Sequence, residues 1–494
     1  MSRPELVNKH QASVDKNHQN TLLFSSKSLM LSWITAWLLR IHFMSASPYS
    51  IDSLNRKIDP TRISSSKPSI PLKADGSVDD NDRVETGPTA LAFQEWHALG
   101  LEIPRLDNIR SFRLQRLCAE LVARDYGGIL LFDPLNIRYA TDSTNMQLWT
   151  SHNPARACFV SAAGYVVLWD FHSCDHLTAH LPLVNELRSG ASFFYFESGN
   201  RCEEHAEIFA KSVDDLMRQH AGSNRRLAVD KIEIGGLRAI DKLGLEVFEG
   251  QEVTELARVI KCGDEVKALR CAVAACEASM FEMKKALYAG QSENDVWAVL
   301  HAENIRRGGE WIETRILSSG PRTNPWFQES GPRIISDGEL LAFDTDMIGT
   351  YGMCSDISRT WMCGDVEPNA EQKRVYQIAH EHILTNMELI KPGVSFEEIT
   401  EKSHRLPENC RANRYGVVMH GVGLCDEYPA IRYPEDSKSY GYEGRLEAGM
   451  VICVEAYVGE AGGSNGVKLE DQVLVTEDGF ENMTRFPFED AFLS

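Results

Sequence analysis

The sequence predicts an α/β (α+β) protein built as two successive domains, an N-terminal α/β domain and a second domain of strands packed on helices. Three observations predict it. Short apolar runs alternate with amphipathic stretches over Gly87–Glu249, the pattern of one α/β domain of ordinary size. A long amphipathic segment without Gly or Pro, "DEVKALRCAVAACEASMFEMKKAL", opens the second part just after Ile260. Beyond it come apolar, β-type segments that each carry acids. A chain of 494 residues has ample length for two or three such cores.

Taken in order, residues 1–43 are expected to lie outside the fold, as an extension or targeting segment. Their apolar run "SLMLSWITAWLL" (Ser28 to Leu39) is too short to span a bilayer and is closed by Arg40 and His42. Glu5 and Asp15 precede it, which is unusual for a secretory signal, and Met44 is a plausible initiator. Residues 44–85, rich in Ser, Pro and Asp, read as an arm or linker. The first domain is assigned to residues 86–255. It contains a helix over Asn108–Arg124 and a buried strand in "GGILLFDP". A hairpin follows in "CFVSAAGYVVLWDF", turning at Ala163-Gly164, and then a strand in "RLAVDK". The second domain is assigned to residues 256–494, with strands in "ELLAFDTDMIG", "YGMCSDISRTW", "GMVICVEAYVG" and "GVKLEDQVLVTEDG".

Composition narrows the partners. Hydrophobic residues at 43% and charged residues at 25% describe a globular protein. A formal net charge of -20 disfavours nucleic acid and anionic membrane and suits a neutral or cationic small ligand. The 12 cysteines are scattered without a CxxC pair and read as reduced thiols of a cytoplasmic protein. Cys354, Cys425 and Cys453 stand close to the acid-bearing segments, where small apolar packing is the expected role.

The acids inside the strands carry the chemistry. Any one of them is ordinarily a solvated strand face, and Asp344 and Asp346 are spaced to share such a face. The set is harder to explain that way. Asp344, Asp346, Asp356, Glu455 and Glu470 all lie in or beside strongly apolar sequence, and His420 sits in the glycine-rich turn "MHGVGLCDEYP". Buried carboxylates in that number repel one another unless cations neutralise them. Five carboxylates and one imidazole suit two divalent or transition metal ions, of the Fe, Mn, Co or Zn kind. The absence of a thiolate cluster argues against a structural zinc knot.

The order Asp, Asp, His, Glu, Glu within "YGMCSDISRTW", "HGVGL" and "KLEDQVLVTEDGFENMT" resembles the creatinase/prolidase/aminopeptidase P superfamily over roughly residues 86 to 490. The resemblance implies a creatinase-like N-terminal domain followed by a "pita-bread" catalytic domain. It further implies that Asp346 or Asp344 chelates one metal, that His420 and Glu455 chelate the other, and that Asp356 and Glu470 bridge the two. Homodimers are common in that superfamily, with one subunit's N-terminal domain reaching the other's site.

The departures from the peptidases redirect the reading. Two acids, Asp344 and Asp346, stand where the peptidases have one. The peptidases' second histidine, which stabilises the tetrahedral intermediate, is replaced by Glu427 next to Asp426. The upstream histidine loop is replaced by "SGPRTNPWFQESGPR", which contains Trp326. Loss of an oxyanion-stabilising group slows a hydrolase on the order of 10²–10³. Aromatics and carboxylates in place of imidazoles instead suit an onium ligand. "DPLNIRYATDSTNMQLW", "HAENIRRGGEWIETR", "SGPRTNPWFQE" and "MHGVGLCDE" resemble the dimethylsulfoniopropionate lyases of the DddP type, from about Arg56 to the C-terminus.

That resemblance implies a carbon–sulfur lyase acting on a small sulfonium zwitterion, releasing dimethyl sulfide and acrylate, and it favours iron. The base must stand beside the metals without being a ligand. Asp426, six residues after His420, meets that condition, and the resemblance assigns it the same role. Tyr415 is a second candidate catalytic residue, for orienting substrate or assisting proton transfer. Trp326, Tyr139 and Trp149 are the expected walls of the sulfonium pocket, although each aromatic taken singly reads as core packing. The competing readings are an Xaa-Pro aminopeptidase, prolidase or creatinase-like hydrolase, and a metal-free binding scaffold on the same fold.

Overall fold

The computed structural model describes residues 73, 75–77 and 86–494. The expected extension over residues 1–43, and nearly all of the expected arm over 44–85, lie outside the described residues. No helix among the described residues is long and apolar enough to cross a membrane.

A six-stranded mixed sheet is built from Gly128–Leu131, Ala157–Ser161, Val166–Asp170, Glu186–Ser189, Arg226–Val229 and Glu246–Glu249. Gly128–Leu131 lies between an antiparallel neighbour, Ala157–Ser161, and a parallel one, Arg226–Val229. The expected hairpin forms, with Ala157 opposite Trp169, and Gly164 takes φ +84° in its turn, where a side chain would strain the backbone. Helices Leu106–Ala123 and Cys202–His220 supply apolar faces to this sheet, burying Leu117 and Leu121, and Phe209 and Val213, respectively.

The strands from Trp311 onward make three further sheets. One orders Ser358–Met362, Leu340–Asp344 and Leu317–Ser319, and another Cys354–Ser355, Met347–Ile348 and Trp311–Ile312. The largest orders Asp426–Ile431, Met419–Val422, Val451–Gly459, Gly466–Val475 and Phe480–Asn482. The long helix runs over Gly263–Ala286 and begins with a reciprocal cap between Cys262 and Glu265. Glu265 is used twice, because its other oxygen accepts from the buried Arg113 at 2.6 Å. Trp96 likewise donates its indole N–H to Cys271 O at 2.9 Å.

Helix Ala370–Met387 covers the largest sheet and holds one fully buried imidazole, His382, within hydrogen-bond distance of Tyr433 Oη at 3.0 Å and Asn386 Nδ2 at 3.1 Å. Burial, with His404 adding to it, pushes His382 down to about 3. The folded state therefore binds fewer protons than the unfolded state between that value and about 6.5. The sign makes this contribution complete above pH 6.5 and progressively lost as pH falls, at about 1.4 kcal/mol per pH unit. Urea titrations across that window should show His382→Gln losing less stability on acidification than the wild type.

Candidate active site

The largest sheet sets the first half of the site. Its central ladder places Glu455 directly opposite Glu470 and pairs His420 with Cys453. Like charges directly opposite one another destabilise a sheet, so this pairing calls for a cation between them. The second half comes from the 340–362 region. Asp344 ends one strand opposite Ser358, and Asp356 sits between Cys354–Ser355 and Ser358–Met362. Asp346 does not share a strand face with Asp344, as strand periodicity predicted. The strand ends at Asp344, and Asp346 takes φ +35°, a left-handed kink that turns its carboxylate back to the cluster. Thr314 Oγ1 donates to that carboxylate.

All five carboxylates are at most 5% exposed. His420 Nε2 lies 3.2 Å from Glu470 Oε1, 3.3 Å from Asp356 Oδ2 and 3.5 Å from Glu455 Oε1. The ligand atoms of Asp356, His420, Cys453 and Glu470 lie within 4.8 Å of one another, as do those of Asp344, Asp346 and Asp356. These are two groups of side chains able to hold a metal ion, sharing Asp356. His420 itself lies in the strand Met419–Val422 rather than in a turn, because the glycines permit a tight hairpin onto Asp426–Ile431.

Sequence reasoning missed Lys468. Its ammonium, fully buried, lies 2.8 Å from Asp344 Oδ2, 2.7 Å from Glu470 Oε2 and 2.9 Å from Glu455 Oε2. Ser358 Oγ lies 2.7 Å from Asp344 Oδ1 and 2.8 Å from Glu470 Oε2 in the same group, able to donate its one proton to either. One buried ammonium and one imidazole do not balance five carboxylates. Burial and neighbouring acids push Asp346 and Asp356 well above the ordinary carboxylate range, and Glu455 up to about 8. Burial acts on Glu470 in the same sense, but Lys468 and His420 outweigh it and hold that carboxyl low. Asp356 Oδ1 and Glu455 Oε1 are buried without a hydrogen-bond partner, and Glu455 Oε2 is faced by the Lys468 ammonium at 2.9 Å. Uncompensated negative charge and orphaned oxygens are what a bound metal cation would satisfy, so the residues fit a metal site.

Cys453 joins the cluster geometrically but keeps its proton. Burial and the surrounding acids push its thiol well above the ordinary range, and Sγ lies 3.8 Å from Asp356 O. All 12 cysteines are free thiols.

Asp426 and Glu427, adjacent in sequence, go separate ways. The Asp426 side chain is 50% exposed, with Oδ1 3.9 Å from His420 Nδ1, at the open edge of the acid cluster. Burial of its surroundings raises it, opposed first by His420. Beside it Glu313, a further residue that sequence reasoning passed over, is pushed up to about 7 by burial and then by the Asp426 charge. Glu427 turns away into the protein, with its side chain 1% exposed. It accepts from Arg258 Nε at 3.0 Å and from Lys261 Nζ. Removing one partner of a buried ion pair costs about 3–5 kcal/mol. Arg258→Ala should therefore lower the urea midpoint by a comparable loss of unfolding free energy.

The aromatic expectations divide. Trp326 is buried and stacks on Tyr457 at 5.7 Å, and Phe327 stacks on Tyr415 at 5.1 Å. Lys468 Nζ lies 4.7 Å from the Tyr415 ring, which places Tyr415 and Trp326 beside the acids. Tyr139 is not brought there, being 3% exposed in the core with its hydroxyl donating to Ala257 O at 2.7 Å. Trp149 joins Phe171, Phe194 and Phe196 in a separate aromatic cluster.

The fold and the cluster define the class, a metallopeptidase-type pita-bread protein. Residues 267–477 match Metallopeptidase family M24. Among solved structures, the Xaa-Pro dipeptidase from Bacillus anthracis superposes with a TM-score of 0.61 at 23% identity, covering 76% of this chain and 98% of that one. A prolidase from Thermococcus sibiricus gives a TM-score of 0.63 at 21% identity, covering 77% and 98%. In sequence the chain is 55% identical over 446 residues to the dimethylsulfoniopropionate lyase DddP of Roseovarius nubinhibens, covering 89% of this chain and 98% of the relative. It is 51% identical over 443 residues to the same enzyme of Roseobacter denitrificans, with coverage of 89% and 98%. The chain belongs to the DddP family of dimethylsulfoniopropionate lyases.

Proposed function

We propose that the chain is a metal-dependent dimethylsulfoniopropionate lyase, a carbon–sulfur lyase that converts its substrate to dimethyl sulfide and acrylate by β-elimination. The observation that carries the mechanism is Asp426, the one half-exposed carboxylate at the edge of a cluster of buried ones. The six residues Asp344, Asp346, Asp356, His420, Glu455 and Glu470 would hold the two metal ions. Iron is favoured over Mn, Co and Zn by family likeness. When bound, such ions neutralise the substrate carboxylate and so acidify the neighbouring C–H.

Asp426 removes the proton α to the carboxylate. The C–H electron pair becomes the C=C bond of acrylate, the C–S bond breaks, and its pair leaves on dimethyl sulfide. Lys468 keeps Asp344, Glu455 and Glu470 turned inward for ligation. Trp326, Phe327 and Tyr415 present the aromatic wall that suits a sulfonium, with Tyr415 positioned to orient the substrate. Tyr139, fixed in the core, acts only through packing, whereas Trp149 contributes across a homodimer. The division at 255/256 separates this catalytic half from the creatinase-like half, and the enzyme works in the cytoplasm on a small molecule, without nucleic acid or membrane. Substrate deuterated at the α-carbon should show a primary isotope effect on kcat/KM that is weaker or absent for β-deuteration. The reverse pattern would contradict abstraction of the α-proton.

A further inference from the structure

A cavity of about 60 Å³ lies at the far end of the hairpin that carries the metal-site acids. Asp346 and Asp356 stand at the base of that hairpin. Its strands are Met347–Ile348 and Cys354–Ser355, and its tip is Thr350–Gly352. The tip meets helices Leu106–Ala123 and Pro134–Thr141, which contribute Leu106, Ile109, Arg110, Arg113 and Arg138 to the wall. At 10–15 Å³ per water, the space holds roughly four waters or one small organic anion. None of the acid-cluster residues lines it.

The chemistry of the wall is specific. Among the described residues, Arg110, Arg113 and Arg138 line the cavity together with one carboxylate, Asp142. The nearest acids to Arg113 and Arg138, namely Glu265 and Glu310, stand outside the lining, and Asp142 within it also lies 4.0 Å from Arg138 Nε. Arg110 is held by Asp142 through Nε at 2.8 Å, with Asp107 no nearer than 3.8 Å to its Nη1. The hydroxyl of Tyr351 is buried without a hydrogen-bond partner, and Arg138 Nε makes no hydrogen bond, with Asp142 Oδ1 4.0 Å away. Tyr351 is 8% exposed and sits at φ +61° on the hairpin tip. Its neighbour Gly352 is shaped around the same guanidinium, since a Cβ there would lie 2.1–2.5 Å from Arg138 side-chain atoms.

We propose that this cavity binds a small monocarboxylate, of the size of acetate or acrylate. A guanidinium matches the two coplanar oxygens of a carboxylate, and the Tyr351 hydroxyl supplies a further donor. Asp142 on the wall disfavours a dianion such as phosphate, and the volume excludes larger acids. The site stands independently of the lyase assignment. Its place on the hairpin gives a bound carboxylate a short covalent path to Asp346 and Asp356.

Isothermal titration of the metal-loaded protein with sodium acetate, sodium acrylate and inorganic phosphate tests it. Acetate and acrylate should each bind one site per chain that Arg110→Gln and Tyr351→Phe weaken about tenfold or more, as expected for a lost hydrogen bond to a charged group. Carboxylate binding at the acid cluster is untouched by either change, so the two classes of site separate. Tyr351→Phe is nearly isosteric and decides the matter even where Arg110→Gln fails to fold. Unchanged affinities in Tyr351→Phe would overturn the site. Phosphate binding there as tightly as acetate would overturn the ligand class.

Discussion

Asp426→Ala is expected to reduce turnover of dimethylsulfoniopropionate by about 10²–10⁴-fold, the range for loss of a positioned general base. Metal content should stay at the wild-type level. The two halves of that expectation come from one geometry. The Asp426 side chain is half exposed and approaches His420 Nδ1 only at 3.9 Å, whereas the groups facing His420 Nε2 lie at 3.2–3.5 Å. It therefore stands beside the cluster without belonging to it. Its neighbour Glu427 anchors the same hairpin through Arg258 and Lys261, so truncating Asp426 leaves the strand in place. Headspace dimethyl sulfide and metal analysis on the same preparation give both readouts. A variant that kept most of its activity would show that another group takes the proton.

His420→Ala should behave differently, losing metal and activity together. The imidazole is the only nitrogen donor among the six proposed ligands, and it faces Asp356, Glu455 and Glu470 at once. Its loss should lower metal affinity by more than the roughly 10–100-fold typical of losing a group that merely supports a ligand. In the metal-depleted variant Glu455 and Glu470 still oppose each other in the ladder, with Lys468 alone between them. The variant should accordingly unfold at a lower urea concentration than the wild type.

The clustering of the acids was legible because acids interrupting apolar strands are conspicuous, whatever turns the backbone takes. Asp346 shows the limit of that signal. A period of two put it on the Asp344 face, whereas a left-handed kink and Thr314 deliver it to the cluster instead. Lys468 went unnoticed because a lysine near acids ordinarily reads as a solvated pair. The available signal was its spacing, two residues before Glu470 on the same face of a strongly apolar strand. The fate of Glu427 was not legible at all. Its partners Arg258 and Lys261 lie 169 and 166 residues away, and nothing local announces such a pairing. For Tyr139 and Trp149 the sequence signalled aromatic walls, but burial placed one in the core and the other in an aromatic cluster apart from the acids. The long helix and the two large strands of the main sheet, by contrast, followed directly from periodicity.

The most direct test of the account is the product formed when the purified, metal-loaded protein meets dimethylsulfoniopropionate. Dimethyl sulfide and acrylate should appear in equal amounts, with Xaa-Pro dipeptides and creatine left intact under the same conditions. Release of proline from the dipeptides without any dimethyl sulfide would contradict it and return the chain to the hydrolases whose fold it shares.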